Sequence, residues 1–287
     1  MSQPAGVSIP LSLPRRLMCD YLHFARQVPS VPVQRRMRLG ELVAARAAAA
    51  SPPSWCALFT KAYGFVAAAL PSLRRAYLAF PRPHLYEHPV NVASIAVERQ
   101  FGEENAVFFA HLRRPEKLSL AEIDIRLRSF KEQPLENIGA YRRILLMNHF
   151  PWPLRRLLWW TGLNVWGRKR AAFMGTFGIT VYAGLGAASL HPLSLLTTTL
   201  NYGVLDADGS MDVRITYDHR VLDGCTIARA LAELERVLMH EILDELRENQ
   251  ETEPAYRRAD NLMNGMETHS SGPERGCAEG RKVSKIA

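Results

Sequence analysis

Apolar side chains recur three or four residues apart in several stretches of the 287-residue chain, which is the period of an amphipathic helix. Residues 13–28 show this pattern and predict a first helix, which Pro29 and Pro32 end. Ser119 and Glu122 form a capping-box pattern and predict the start of a later helix. The remaining predicted helices cover residues 39–50, 55–70, 119–133, 136–150 and 226–246.

Alternating apolar and polar residues, the period of a half-buried strand, lie between these helices. A tight-turn sequence at residues 206–209 separates the last two alternating stretches and predicts an antiparallel hairpin. Residues 81–89, rich in proline and histidine, predict a loop. Strands are predicted over residues 33–39, 90–98, 105–112, 175–184, 195–206 and 211–219. The pattern indicates a mixed α/β (α+β) protein.

The chain is long enough for one large domain or two small ones, and 47% of its residues are hydrophobic. Residues 247–287 differ from the rest: they are polar, rich in Glu, Arg, Gly and Ser, and have no apolar period. This composition predicts a disordered tail. The four cysteines are scattered without a C-x-x-C pair, which argues against a zinc site and a disulfide framework. Because no secretory signal is visible at the N-terminus, the predicted compartment is the cytoplasm.

The formal net charge of +8 is concentrated in one region. Residues 137–205 contain no Asp or Glu, and their seven basic residues are interleaved with bulky apolar side chains. An anionic small molecule or a membrane surface is therefore a more plausible partner than nucleic acid. The basic residues are Arg142, Arg143, Arg155, Arg156, Arg168, Lys169 and Arg170.

Residues 217–224, "YDHRVLDG", place a histidine at the end of a predicted strand, just before a long apolar helix. His219 could act as a base at the sheet edge, and Asp223 could hold the turn that orients it. A strand-end histidine that only hydrogen-bonds a turn is the alternative. The other histidines lack metal-ligand spacing, so no metal site is predicted. Surface or loop positions are expected for His23, His84, His88, His111 and His149.

The stretch "ITYDHRVLDGCTIARALAEL" resembles the H-x-x-x-D-G segment of the dihydrolipoyl acyltransferases, the catalytic cores of 2-oxo acid dehydrogenase complexes. "GTFGITVYAGLGA" is similar to that family's Gly-Thr-Phe-x-Ile-Ser strand. The opening stretch, "PLSLPRRLMCDYLHFARQVPSVPVQRRMRLGELVAAR", is similar to the family's first helix, strand and second helix, and "KLSLAEIDIRL" to a mid-domain helix. The resemblance covers residues 9–246, which defines the expected domain, after an extension of residues 1–8. It implies the chloramphenicol acetyltransferase-like fold, a mixed-sheet sandwich with flanking helices.

The resemblance also implies roles for individual residues. His219 matches the base that removes a proton from the thiol of coenzyme A or dihydrolipoamide. Thr180 matches the hydroxyl that stabilises the oxyanion, and Asp223 matches the residue that supports the turn by pairing with an arginine. Arg16 or Arg15 occupies that arginine's place, with Arg16 favoured weakly, and Gly224 is the family's glycine. Coenzyme A or acyl-coenzyme A is implied as a substrate; residues that bind it are not identified.

The chain departs from the family in three ways. Before residue 9 the expected lipoyl domain, subunit-binding domain and Ala/Pro-rich linker are missing, so no lipoyl group is expected on this chain. The family's Asn-Pro-x-Gln turn reads "HPLS" here, with His191 and Ser194 at its outer positions; His191 is expected to be a loop residue. Residues 145–170 hold four of the five tryptophans beside the basic cluster. They form either a packed helical cap or a lid that contacts a membrane surface or a long acyl chain.

Three functions are compatible with this reading. The leading hypothesis is a stand-alone acyltransferase that moves an acyl group between coenzyme A and a thiol or other acceptor. It would be a homotrimer, with His219 of one copy facing Thr180 of the next. A non-catalytic scaffold or regulatory protein that keeps the fold is the second. A dehydrogenase-complex core that works with a separate lipoyl protein is the third.

Overall fold

The computed structural model describes residues 6–147 and 149–249. Its centre is a six-stranded mixed sheet with the strand order β1-β8-β7-β6-β4-β5, and a two-stranded sheet pairs β2 with β3. Strand β6 runs parallel to both of its neighbours, and the other strand pairs are antiparallel. The strands are β1 (Ser30–Arg38), β2 (Arg75–Leu78), β3 (His84–Glu87), β4 (Val92–Phe101), β5 (Glu104–Arg113), β6 (Phe177–Ile179), β7 (Thr198–Leu205) and β8 (Ser210–Asp218).

Helices cover both faces of the large sheet. The last helix continues through a π-helical turn, Leu238–Ile242, and remains helical to residue 249. The α-helices are α1 (Leu13–Ala25), α2 (Gly40–Ala48), α3 (Trp55–Ala69), α4 (Leu120–Glu132), α5 (Gly139–Met147), α6 (Trp152–Asn164), α7 (Gly167–Met174) and α8 (Gly224–Val237).

The main core lies between one face of the sheet and helices α3 and α8. Alternate residues of β8 point into it, because strand side chains alternate between faces; Val213, Ile215 and Tyr217 are all buried. From α3, Phe59 stacks on Tyr202 of β7 with ring centroids 4.4 Å apart. This apolar packing supplies the platform on which the end of β8 is held.

A smaller apolar cluster covers the opposite face at the β4–β5 end of the sheet. Tyr21 of α1 stacks on Phe109 of β5, with ring centroids 5.1 Å apart. Trp159 of α6 meets Tyr21 edge-on at 6.4 Å. Helix α1 therefore packs between the sheet and the tryptophan-rich segment, residues 145–170.

Most predicted elements are present, and the capping box at Ser119 and Glu122 is formed. The strand predicted over residues 175–184 is shortened to β6, because the side-chain amide of Asn201 donates to the carbonyl of Thr180 (2.6 Å) where a strand partner would. The loop predicted over residues 81–89 is partly wrong: β3 lies within it.

The predicted chain ends fall mostly outside the described residues. Of the extension predicted over residues 1–8, the first five lie outside, and of the tail predicted over residues 247–287, those from 250 onward do. Residues 247–249 are helical, and the predicted domain boundaries remain predictions. Among the described residues, no helix combines the length and the apolar character that crossing a bilayer requires.

Candidate active site

His219 is the first residue after β8, and the backbone around it is fixed. Its N–H donates to the carbonyl of Pro29 (3.0 Å), and the carbonyl of Asp218 accepts from Val221 and Leu222 (3.0 and 3.2 Å). The imidazole is exposed and lies 5.4 Å from the ring of Tyr217. In the described part of the chain its ring nitrogens have no hydrogen-bond partner, so the ring is open to an external ligand.

An ion pair between Asp218 and Arg220 supports this turn. Asp218 is 3% exposed and accepts two hydrogen bonds from the Arg220 guanidinium, 2.9 Å from Nε and 2.7 Å from Nη2. The guanidinium also lies 4.3 Å from the ring centroid of Tyr77. A bidentate pair of this kind fixes both side chains. Asp218 and Arg220 therefore act as positioning residues on either side of His219.

Arg170 of α7 adds to this support from a distant part of the chain. It donates to the carbonyls of Tyr77 and Leu163 (both 2.7 Å) and of Leu195 (2.9 Å). Burial lowers the pKa of Arg170 to about 10, an effect that the nearby Asp218 carboxylate opposes. In the sequence, Arg170 stands out only as part of a basic cluster, because no local pattern connects it to residue 218.

Asp223 and Gly224 form the entry to α8. The carbonyl of Asp223 accepts from Thr226 and Ile227 (3.0 and 3.2 Å), and its carboxylate is exposed. That carboxylate has no polar partner within the described residues of one chain. A Cβ on Gly224 would lie 3.4 Å from the Tyr217 hydroxyl oxygen, so the small residue leaves this hydroxyl its space.

The two candidate partner arginines make other contacts. Arg16 Nε donates to the carbonyl of Leu11 (3.0 Å), and Arg15 Nε lies 3.6 Å from Glu104 Oε2. Within one chain the structure does not bring either arginine to Asp223. The pairing that the resemblance implies remains a prediction.

Thr180 lies at the end of β6, beside a second candidate surface. Its N–H donates to the carbonyl of Leu200 (3.1 Å), and its half-buried side chain lines a cavity of about 280 Å³. The cavity lies between the sheet and α1, and hydroxyl groups are frequent in its wall. Those beside Thr180 belong to Tyr21, Ser94, Tyr182, Ser189, Ser194 and Thr199.

One chain does not bring His219 and Thr180 together. The strand register places Thr180 level with Asn201 of β7 and Arg214 of β8. Asp218 is therefore four residues along and two strands across from Thr180, which is roughly 16 Å. His219 lies one residue further away. Within one chain the two side chains are therefore too far apart to contact the same carbonyl group.

His191 and Ser194, the outer residues of the "HPLS" turn, lie near this site. His191 is an exposed loop residue, as predicted, and its Nε2 lies 2.8 Å from Ser30 Oγ. Ser30 is opposite Asp218 in the sheet, so His191 and His219 occupy the same end of the sheet. Ser194 is buried and accepts from Thr199 Oγ1 (2.7 Å).

The expectation that five histidines are ordinary surface or loop residues is wrong for His111. His88 lies in the loop between β3 and β4, as expected, but is only 2% exposed. His111 lies on β5, and both of its ring nitrogens are buried without a hydrogen-bond partner. Desolvation lowers the pKa of each to about 4. The sequence alone could not reveal that the His111 ring is buried, because the helix that covers it comes from a distant part of the chain. No cluster of metal-ligating side chains occurs among the described residues.

The basic, aromatic segment is partly internal. Asp20 of α1 is 1% exposed and lies 2.8 Å from Arg155 Nε and 3.0 Å from Arg156 Nε. Three of the seven cations, counting Arg170, thus serve internal contacts and are not a free electrostatic surface. Trp159 is buried, but the other three tryptophans of the segment, Trp152, Trp160 and Trp166, are 61%, 40% and 44% exposed.

Structural comparison identifies the fold. Neither a protein-family model nor a curated protein sequence matches the chain. A dihydrolipoamide acetyltransferase structure from Azotobacter vinelandii matches with a TM-score of 0.63 and 18% identity, over 84% of this chain and 94% of that one. For that enzyme, crystallographic and enzymatic work addressed the catalytic role of a serine, a histidine and an asparagine four residues after the histidine.

Two further structures agree. The cubic core of a pyruvate dehydrogenase multienzyme complex matches with a TM-score of 0.61 and 18% identity, over 84% of this chain and 94% of that one. A truncated catalytic core of the 2-oxoacid dehydrogenase complex from Thermoplasma acidophilum matches with a TM-score of 0.57 and 17% identity, over 82% and 99%. The predicted chloramphenicol acetyltransferase-like fold is confirmed: the chain has the fold of the catalytic cores of 2-oxo acid dehydrogenase acyltransferases.

Proposed function

We propose that the protein is a thioester-dependent acyltransferase in which His219 is the general base. The observation that carries this proposal is the imidazole at the end of β8. Its ring is exposed and free of hydrogen bonds within the described chain, while Asp218 and Arg220 hold the turn beneath it. An imidazole held in this way can take a proton from a bound thiol and return it.

The reaction uses two side chains. An Nε2 or Nδ1 lone pair of His219 accepts the thiol proton, and the thiolate sulfur attacks the thioester carbonyl. The Thr180 hydroxyl donates to the resulting oxyanion. When the tetrahedral intermediate collapses, the original carbon–sulfur bond breaks and the departing thiolate takes the proton back from the imidazolium. No net proton or electron is gained.

The proposed donor is an acyl-coenzyme A, and the proposed acceptor is a thiol or another nucleophile that the site accommodates. Neither a metal nor a lipoyl group on this chain takes part in the scheme. The proposal is supported by the fold, which the neighbouring acyltransferase cores share, and by a common spacing. In the Azotobacter vinelandii enzyme a histidine is followed four residues later by an asparagine, and here His219 is followed four residues later by Asp223.

We further propose that the protein is a homotrimer whose active sites lie between copies. The separation of roughly 16 Å between Asp218 and Thr180 supports this arrangement, because one chain cannot place both reacting groups on the same carbonyl. The unpaired Asp223 carboxylate is also compatible with a partner contributed by another copy.

Two alternative functions, both compatible with the sequence, remain. A non-catalytic scaffold would keep the fold without turnover. A core of a dehydrogenase complex would transfer acyl groups to a separate lipoyl protein and not to a free thiol. Assays with coenzyme A, free dihydrolipoamide and an isolated lipoyl domain as acceptors separate these cases.

The first prediction tests the base. His219→Ala is expected to lower acyl transfer by roughly two to four orders of magnitude, the usual effect of losing a general base. Transfer is measured as the release of free coenzyme A from acyl-coenzyme A, with the acceptor that supports the fastest turnover.

His240→Ala is the matched control. His240 is exposed and contacts only the carbonyl of Arg236 (2.8 Å) within the described chain, so its loss should leave turnover unchanged. Undiminished transfer by the His219 variant would refute the mechanism. Absence of transfer by the wild type with every acceptor would favour the scaffold.

A further inference from the structure

A second cavity lies on the same face of the sheet as the Thr180 cavity. It has a volume of about 220 Å³ and is enclosed by α1, α5, α6, α7 and β5. Its wall is almost entirely apolar. The residues that define its shape are Leu17, Phe109, Trp159, Gly162, Phe173 and Met174.

The two cavities are neighbours. Phe109 and Met174 line both, so these side chains form the partition between them. His111 of the second cavity and Gly178 of β6 are both opposite Ser94 of β4. His111 is therefore two strands across and two residues along from Thr180, which is roughly 12 Å. Phe109 and Met174 therefore have to move aside before an acyl chain whose carbonyl lies at Thr180 can reach the second cavity.

Two polar side chains, His111 and Arg143, interrupt the apolar wall. Both ring nitrogens of His111 are buried and have no partner within the described residues. Burial lowers the pKa of His111 to about 4, an effect that the Arg143 charge reinforces, so the ring is neutral at pH 7. A neutral imidazole offers one donor and one acceptor. Leaving both unpaired is costly, and a ligand oxygen can relieve this cost.

The charged group at the rim does not fill the cavity. Arg143 Nε donates to the carbonyl of Gly139 (3.1 Å), and its guanidinium carbon lies 5.7 Å from the ring centroid of Phe173. Apart from His111 and Arg143 the wall is apolar, which fits a hydrocarbon chain.

We propose that this cavity binds the acyl chain of the substrate and that His111 hydrogen-bonds a neutral oxygen on that chain. The occupant is a medium-length hydrocarbon chain with a hydroxyl or keto substituent. The claim that the bound chain is the transferred acyl group rests on the proposed function. The claim that the cavity binds such a chain does not depend on it.

Gly162 provides a direct test. It lies on α6 in the wall of the cavity, and a Cβ at this position would meet no atom within 4 Å. Gly162→Phe therefore fills the cavity without a clash at its first atom, and a helical glycine is replaced by a better helix former. Ala140→Leu fills the cavity from α5 and serves as a second variant should Gly162→Phe fold poorly.

Binding is measured by isothermal titration calorimetry with 1-octanol and with 1-chlorooctane, which lacks the hydroxyl donor. The wild type is expected to bind 1-octanol roughly fivefold more tightly, the usual effect of one hydrogen bond. Gly162→Phe should weaken binding of both probes at least tenfold. His111→Leu should remove the preference for the alcohol.

Gly139→Leu is the control. This helical glycine also has open space around a built Cβ but lines no part of the cavity, so binding should be unchanged. The proposal fails if the wild type does not bind 1-octanol, if filling the cavity leaves binding intact, or if the alcohol preference survives in His111→Leu.

Turnover connects the cavity to the reaction. With octanoyl-coenzyme A as the donor, Gly162→Phe should lose at least tenfold in kcat/KM, while transfer from acetyl-coenzyme A stays within twofold of the wild type. If no donor is turned over but 1-octanol binds as described, the proposed function fails and the binding site stands. Equal losses for both donors would overturn the assignment of the cavity to the acyl chain.

Discussion

Two histidines of this chain are in opposite situations. His219 is exposed at the end of a strand, on a turn that the Asp218–Arg220 pair fixes. His111 is enclosed, and its nitrogens have no partner in the described structure. The first arrangement suits proton exchange with a bound ligand, and the second keeps a neutral ring at the wall of an apolar cavity.

The buried ring makes stability depend on pH. In the unfolded chain a histidine titrates near pH 6.5, whereas in the folded protein the pKa of His111 is lowered to about 4 by burial. Between these values the unfolded state binds more protons. The free energy of unfolding is therefore fully retained above pH 6.5 and falls as the pH is lowered towards 4.

Urea unfolding at pH 7.5 and pH 5.0 tests this prediction. The wild type should lose stability at the lower pH, and His111→Leu should lose less. His88, whose pKa is also lowered to about 4, supplies the remaining part. His240→Leu, at an exposed position, should behave as the wild type does. Equal acid sensitivity of the wild type and the His111 variant would contradict the assignment.

Helix α6 is amphipathic in an unusual sense, because its buried side includes a charged residue and its exposed side is largely apolar. Arg155 and Trp159 are buried, Arg155 paired with Asp20. Trp152, Leu154, Leu157 and Trp160 are all at least 40% exposed. A contiguous exposed apolar surface of this kind is typical of a contact with another molecule or a membrane.

We expect this surface to bind anionic vesicles. The tryptophan fluorescence of the wild type should shift to the blue with vesicles of mixed phosphatidylcholine and phosphatidylserine, and the protein should sediment with them. Trp152→Ala with Trp160→Ala should reduce both effects. High salt should weaken binding only modestly, since Arg155, Arg156 and Arg170 serve internal contacts.

The paired control changes Trp159, which is buried. Trp159→Phe should leave vesicle binding unchanged, because that ring packs on Tyr21 and Phe24. Vesicles that change neither fluorescence nor sedimentation would show that another protein surface covers α6. If the double variant lost its oligomeric state, the protein surface that covers α6 would belong to a second copy of this chain.

Local patterns predicted most of the helices and strands, because each of these carries its own period and caps. The capping box at Ser119 is one case. Helices α6 and α7 were foreseen only as one interpretation of residues 145–170, a helical cap, and β2 was not predicted. Local patterns failed for β3, whose four residues lie between prolines and pair only with β2. They overextended β6, because the end of that strand is set by an asparagine from a different strand.

The candidate site divides in the same way. The roles of His219, Asp223 and Thr180, which remain predictions, could be proposed by resemblance, since each residue lies in a local motif. Arg170 and His111 could not. Their importance comes from contacts between segments far apart in sequence, and neither belongs to a motif.

At the scale of the whole molecule, the distance between His219 and Thr180 makes a prediction about mixed assemblies. If each site uses His219 from one copy and Thr180 from the next, copies that carry His219→Ala and Thr180→Ala complement each other. Random mixing in equal amounts should restore roughly a quarter of the wild-type sites, since each interface needs one intact partner of each kind.

Coexpression with two affinity tags and sequential purification isolates the mixed assemblies, in which roughly one site in three should be intact if the assembly is a trimer. Their turnover is compared with that of each single variant, both of which should be strongly reduced. A double variant that carries both changes on one copy, mixed with wild type, calibrates the measurement. Mixed assemblies that stay as inactive as the single variants would show that each site is formed within one chain.

Arg170 joins the carbonyls of Tyr77, Leu163 and Leu195 beneath the turn that holds His219. These segments can meet only after long loops have closed, which is slower than helix formation. During refolding, helical content should therefore recover before the turn at His219 is in place. A preparation with a native circular dichroism spectrum can still contain molecules without a formed site, so its usable fraction has to be determined by active-site titration.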